Sequence, residues 1–141
     1  MLSAYPACFF KEETGYSVVF PDLNYLSTCG DTLEEAFTMA VDCLASYLYW
    51  LEQDSEMPPV ASAITTINPE NLAKELNFTF QEVFVNIITV DVAEYAKIHF
   101  EKSVKKTLTI PAWLNKAALE QNINFSQVLQ DALKAKLHIA K

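Results

Sequence analysis

Runs of aromatic and β-branched residues open the chain. Ala4 to Lys11 and Tyr16 to Phe20 flank the polar, glycine-containing Glu12-Glu13-Thr14-Gly15, a strand-turn-strand pattern. Tyr25 to Thr28 can form a short third strand between the breaks at Pro21-Asp22-Leu23-Asn24 and Gly30-Asp31-Thr32. The period then changes. Leu33, Phe37, Val41, Leu44, Leu48 and Leu51 recur three and four residues apart, which predicts a helix of about five turns with one apolar face. Asp31 with Glu34, or Thr32 with Glu35, offers a capping box at its start. Met57-Pro58-Pro59 closes the region, because a residue before proline is pushed out of helical geometry.

A polar connection over residues 60–80 carries at most a turn or two of helix, at Asn71 to Leu76. Glu82 to Val90 is then apolar nearly throughout, the pattern of a strand buried on both faces rather than at an edge. A helix between two strands favours a crossover, so this fourth strand is expected parallel to the first. The fold expected for residues 1–100 is thus α+β, in the order β-β-β-α-β, with the helix on one face. Asp91 to Ser103, of mixed polarity, reads as a tether with some helical content.

The remaining third follows a different plan. Lys105 to Ile110 alternates, with Leu108 and Ile110 on one side and Lys105, Thr107 and Thr109 on the other. Pro111 suits a first helical position, where its missing amide proton has no partner to lose. Leu114, Ala117, Ala118 and Leu119 continue an apolar helical face up to Asn122-Ile123-Asn124. Asn124 with Gln127 then resembles a second capping box, followed by Val128, Leu129, Ala132, Leu133 and Leu137. One strand and two short helices make too little core for a monomer. Residues 101–141 are therefore expected to fold by pairing with a second copy as a ribbon-helix-helix unit, a dimer or tetramer through residues 104–138. In that arrangement Lys105, Thr107 and Thr109 face outward on a two-stranded ribbon narrow enough for the DNA major groove. The amides near Asn124, Phe125 and Ser126 form a phosphate clamp at a helix N-terminus.

Charge divides along the same line. Residues 1–100 carry three lysines against fifteen acidic residues, a net of −12, whereas residues 101–141 carry seven lysines against three, a net of +4; together they give the −8 of the chain. An acidic body repels DNA and attracts a basic protein, while a basic tail can sit on phosphates. Every basic residue is lysine, so bidentate guanidinium contacts to bases are absent from the available chemistry. No apolar run approaches the roughly 20 residues of a membrane span, and the start lacks a signal-peptide pattern, so the expectation is a soluble cytoplasmic protein. Cys8, Cys29 and Cys43 are odd in number and lack CxxC spacing, which suggests reduced structural thiols rather than a zinc site or disulfide framework. No cofactor is expected.

With both halves considered, the chain resembles the HicB family of antitoxins. The residues that carry the resemblance are Tyr5-Pro6-Ala7, Gly15-Tyr16-Ser17-Val18-Val19-Phe20-Pro21-Asp22-Leu23, Gly30-Asp31-Thr32-Leu33-Glu34-Glu35-Ala36 and Leu108-Thr109-Ile110-Pro111. The resemblance implies a partial RNase H-like N-terminal domain that neutralises a small basic HicA-type RNase toxin, and a tail that represses the shared promoter. Asp22 and Tyr25, in the loop after the second strand, are the candidate toxin contacts. Two stretches depart from the family pattern: residues 60–80, and Leu23 to Cys29. The alternative is a stand-alone ribbon-helix-helix regulator with no toxin partner.

An enzyme is not expected. The centre of the first strand reads Ala7-Cys8-Phe9, where a two-metal nuclease wants a carboxylate. Asp22, Glu34, Glu35 and Asp91 lie at turns and helix starts, where capping and solvation account for them. His99 and His138 have no partner at ligand spacing.

Overall fold

A computed structural model describes residues 1–139, and the chain divides into two compact units, Met1–Lys102 and Ser103–Lys141. In the first, β1 (Leu2–Lys11), β2 (Tyr16–Phe20) and β3 (Leu26–Gly30) form an antiparallel meander, followed by α1 (Leu33–Gln53). The chain's two glycines meet where the hairpin turn approaches the start of α1. Gly15 takes φ +83°, and a Cβ on Gly30 would lie 2.4 Å from the Ala36 backbone nitrogen, so neither position accepts a side chain without rearrangement. Thr32 caps α1 by accepting from the Glu35 amide at 3.1 Å, and the Glu35 carboxylate reaches back to the Asp31 amide at 2.7 Å. The Thr32–Glu35 pairing is thus the one used.

The face of α1 that meets the sheet is centred on Ala36, Ala40, Leu44, Ala45 and Leu48, while Leu33 is exposed. The small residues at 36 and 40 let the helix lie close over Phe9 and Phe20. Along β1 the side chains alternate: Tyr5, Ala7 and Phe9 point to α1, Cys8 and Phe10 to the other side. Phe9 lies between Phe37 and Phe84, with ring centroids at 4.6 and 4.9 Å. Burying such a side chain contributes roughly 1.5–3 kcal/mol.

The expected parallel crossover does not form. β4 (Glu82–Asp91) runs antiparallel to β1, and the sheet order is β3-β2-β1-β4. The reason lies in residues 54–81. After α1 the chain is held by Tyr5 on the α1 side and by Asp22 in the loop after β2, and α2 (Pro69–Leu76) then packs Leu72 and Ala73 against Cys8, Phe10 and Val19 on the face opposite α1. That route delivers the chain to the far end of β1, so β4 must run back down. Residues 60–80, which depart from the family pattern, supply the second layer of the fold. β4 is also an edge strand rather than one buried on both faces: Ile88 and Val90 are buried, but Phe84, Asn86, Ile87 and Thr89 are exposed. Its uniform apolarity reflects half-covered faces on both sides of the sheet. The expected tether at Asp91 to Ser103 is largely a packed helix, α3 (Val92–His99), capped by Asp91; Ala96 is buried and Tyr95 donates to Asp42 of α1 at 2.9 Å.

In the second unit, residues 103–110 have no strand partner, and α4 (Ala112–Glu120) and α5 (Phe125–Lys136) follow. Pro111 is the residue preceding the helix (φ −58°, ψ 142°) rather than its first position. Among the described residues of this unit none is buried; Ala118 and Leu129 reach half-burial.

Candidate functional site

The loop after β2 begins with a 3-10 turn, Pro21–Leu23, whose Leu23 is driven fully into the core. The chain then reverses through two consecutive left-handed residues, Asn24 (φ 55°) and Tyr25 (φ 58°). Asparagine tolerates this region; a bulky aromatic is uncommon there and holds the conformation at a cost of order 1–3 kcal/mol. The result is that Tyr25 stands 46% exposed at the turn.

Asp22 is placed differently. One carboxylate oxygen accepts from the Ser62 amide at 2.7 Å and the other from the Ser62 hydroxyl at 2.6 Å, while the Tyr5 hydroxyl donates to the Pro59 carbonyl. Burial, with Asp22 and Tyr47 nearby, raises the Tyr5 pKa, which keeps the phenol a donor. Asp22 and Tyr5 therefore clasp the exposed segment that follows α1. The structure does not leave Asp22 free beside Tyr25; it spends the carboxylate on the clasp. Ser62, the other half of the Asp22 clasp, carried no sequence signal, because a serine forty residues away has no periodicity or spacing to announce it.

The remaining carboxylates have local roles of their own. Asp91 caps α3 and holds the amino terminus at 3.0 Å, which lowers its pKa. Ser17 donates to Glu12, whose hairpin borders a shallow groove of about 540 Å³ with Phe78 and Phe80 on its other wall. Among the described residues, no three His, Cys, Asp or Glu side chains gather as a metal site. The Cys8 thiol is pushed up to about 11 by burial, and that of Cys43 upward by burial and Asp42, so neither has the thiolate character of a reactive cysteine. No helix among the described residues is long and apolar enough to cross a membrane.

In the tail, Lys105, Thr107, Leu108, Thr109 and Ile110 are all exposed. Asn124 caps α5 by accepting from the Gln127 amide at 3.1 Å. Gln127 does not reach back to complete a box; its amide nitrogen donates to Asp131. Phe125 and Ser126 occupy the exposed first turn beside the cap. Trp113, Leu114, Leu119, Val128, Leu133 and Leu137 are all at least two-fifths exposed, which is too much apolar surface for two helices in water.

A family model described as HicB_like antitoxin of bacterial toxin-antitoxin system matches residues 5–132. Antitoxin HicB 2 of Photorhabdus laumondii is 44% identical over 55 residues, 38% of this chain; the match spans only 40% of that relative's length. An uncharacterised 14.9 kDa protein of the rep-hol intergenic region of Haemophilus phage HP1 is 30% identical over 112 residues, 78% of this chain and 74% of that one. Among solved structures, a chain of a toxin-antitoxin complex from Streptococcus pneumoniae is 32% identical, with a TM-score of 0.62 over 96% of this chain and 99% of that chain.

Proposed function

Because the chain belongs to the HicB_like antitoxin family of bacterial toxin-antitoxin systems, we propose that it acts in the cytoplasm as a two-part antitoxin. Its acidic body masks the RNA-binding face of a small basic HicA-type mRNA-cleaving toxin, and its tail holds operator DNA to repress their common operon. The observation that carries this is the split of charge across two separately compact units, −12 within residues 1–100 and +4 within 101–141. Opposite charges in two units serve opposite partners: a cationic protein for one, phosphates for the other. On this reading Tyr25 contacts the toxin, and Asp22 acts beside it by setting the clasp that fixes the loop.

For the tail the reading is a ribbon-helix-helix. Two copies of Lys105 to Ile110 pair antiparallel and cover the apolar faces of α4 and α5. Thr107 and Thr109 then read base edges, Lys105 reaches a guanine edge or a phosphate, and the first turn at Asn124, Phe125 and Ser126 clamps a phosphate. The unpartnered apolar surface of the tail supports the pairing. The three-stranded meander with α1 on one face supports the RNase H-like reading of the body.

Affinity capture of the full chain from its host, with mass spectrometry of what co-elutes, tests the toxin partner. A small basic protein at near-stoichiometric amount is the expected result. Recovery of the chain alone, still able to shift its upstream DNA, would instead favour a stand-alone regulator. Operator binding is expected to weaken steeply with salt as phosphate counterions are displaced, and a flat dependence would leave the tail a dimerisation device only.

A further inference from the structure

The two edges of the sheet are finished differently. β3 is five residues long, carries Ser27, Thr28 and Gly30, and its Ser27 carbonyl accepts from the Cys43 thiol of α1 at 3.8 Å. β4 is ten residues long, pairs with β1 alone, and keeps an unbroken register from Glu82 opposite Lys11 to Asp91 opposite Leu2. Edge strands are ordinarily shielded by brevity, lysine, proline or a bulge, and β4 has none of these.

The hydrogen bonds fix which of its groups face outward. The Glu12 amide donates to the Gly15 carbonyl on the β2 side, whereas the Lys11 carbonyl accepts from the Gln81 amide on the β4 side. Backbone direction alternates along a strand, so Ser3, Tyr5, Ala7 and Phe9 face β4, and Pro6 turns its missing donor the other way. Ile87, which stands opposite Pro6, therefore presents its amide and carbonyl outward, as do Val83, Val85 and Thr89. The Ile87 amide donates to Asn86 Oδ1 at 2.9 Å, a neighbouring side chain standing where a strand could. Phe84 on the α1 face and Ile87 on the α2 face flank this row of groups, both more than a third exposed.

We propose that the free edge of β4 is the docking site for an extended segment of a cationic protein, added to the sheet as a fifth strand. Charge selects the occupant. The body carries a net −12 over residues 1–100, and Glu82, which starts the strand, is in none of the ion pairs among the described residues. A second copy brings a second body of net −12 to that edge, whereas a segment ending in lysine or arginine meets opposite charge at Glu82. Main-chain bonds supply the affinity, and Phe84 and Ile87 read the flanking side chains. The inference rests on the toxin-masking reading and adds the β4 edge to the Tyr25 loop as a second part of the toxin-facing surface.

The test is hydrogen exchange on the full chain, with and without the basic protein it captures. Amides in residues 82–91 should slow about tenfold or more in the complex. Ile87→Pro removes the outward donor without touching the β1 ladder, and should weaken capture about tenfold with an unchanged melting temperature. If that variant does not fold, the exchange result decides alone. A complex in which residues 82–91 exchange at the free rate sinks the edge assignment and leaves the toxin reading standing; failure to capture any basic protein sinks both. Protection present in the chain alone and lost on dilution gives the edge to a second copy and overturns the proposal.

Discussion

The body, Met1–Lys102, and the tail, Ser103–Lys141, both contain helices and apolar runs, yet among the described residues every buried apolar one lies in the body. The body has two layers of helix on opposite faces of one sheet, so each side of Phe9-Phe10 finds cover. The tail has apolar residues of the same kinds with nothing inside its own unit to hide them. A unit of roughly 40 residues lies near the limit below which a single core does not suffice. Local signals write helices; a core needs enough chain, and among its described residues the tail has none buried.

The largest effect that sharpens this contrast is in the body. Phe9→Ala should cost about 3–5 kcal/mol by emptying the space between Phe37 and Phe84, read as a lowered urea midpoint. In the tail, Leu133→Asp changes a residue that is 51% exposed in a single chain. If a second copy covers it, sedimentation equilibrium should show about 2–4 kcal/mol of association lost while the body's unfolding is unmoved. An unchanged association constant would break the comparison, since the tail's apolar face would then lie outside the dimer contact. Asp22→Ala removes two hydrogen bonds to a charged group and is expected to cost about 1–2 kcal/mol. It should also expose the segment around Ser62 to protease, and intact resistance would mean that the clasp is not needed to hold it.

The smallest effect is a pH dependence confined to the body. The Tyr95 pKa is raised from 10.0 to about 12, first by burial and then by donation to Asp42. The unfolded chain gives up this proton at its ordinary pKa and the folded chain resists. The contribution is therefore whole below pH 10 and is lost as pH climbs to about 12. Tyr95→Phe should lose about 0.5–1.5 kcal/mol at neutral pH. It should also unfold with less alkaline sensitivity than the parent, and identical pH profiles would remove the phenol from the account.

By itself the sequence determined what neighbours along the chain can settle. The hairpin at Gly15, the cap of α1 at Thr32 with Glu35 and the cap of α5 at Asn124 are all written within a few residues, because a turn or a cap is one or two short-range hydrogen bonds. Of the candidate contacts the structure shows exposure alone, at Tyr25, Thr107 and Thr109. Only the tertiary structure decided that β4 runs antiparallel at an edge, that α3 packs on α1, and that the Asp22 carboxylate is given to Ser62. Doubling the length of a connection costs only about 0.6 kcal/mol of closure entropy, so residues 54–81 could have returned to either end of the sheet. The choice fell to the packing of Leu72 and Ala73 on Cys8, Phe10 and Val19, a contact between residues that no local pattern links.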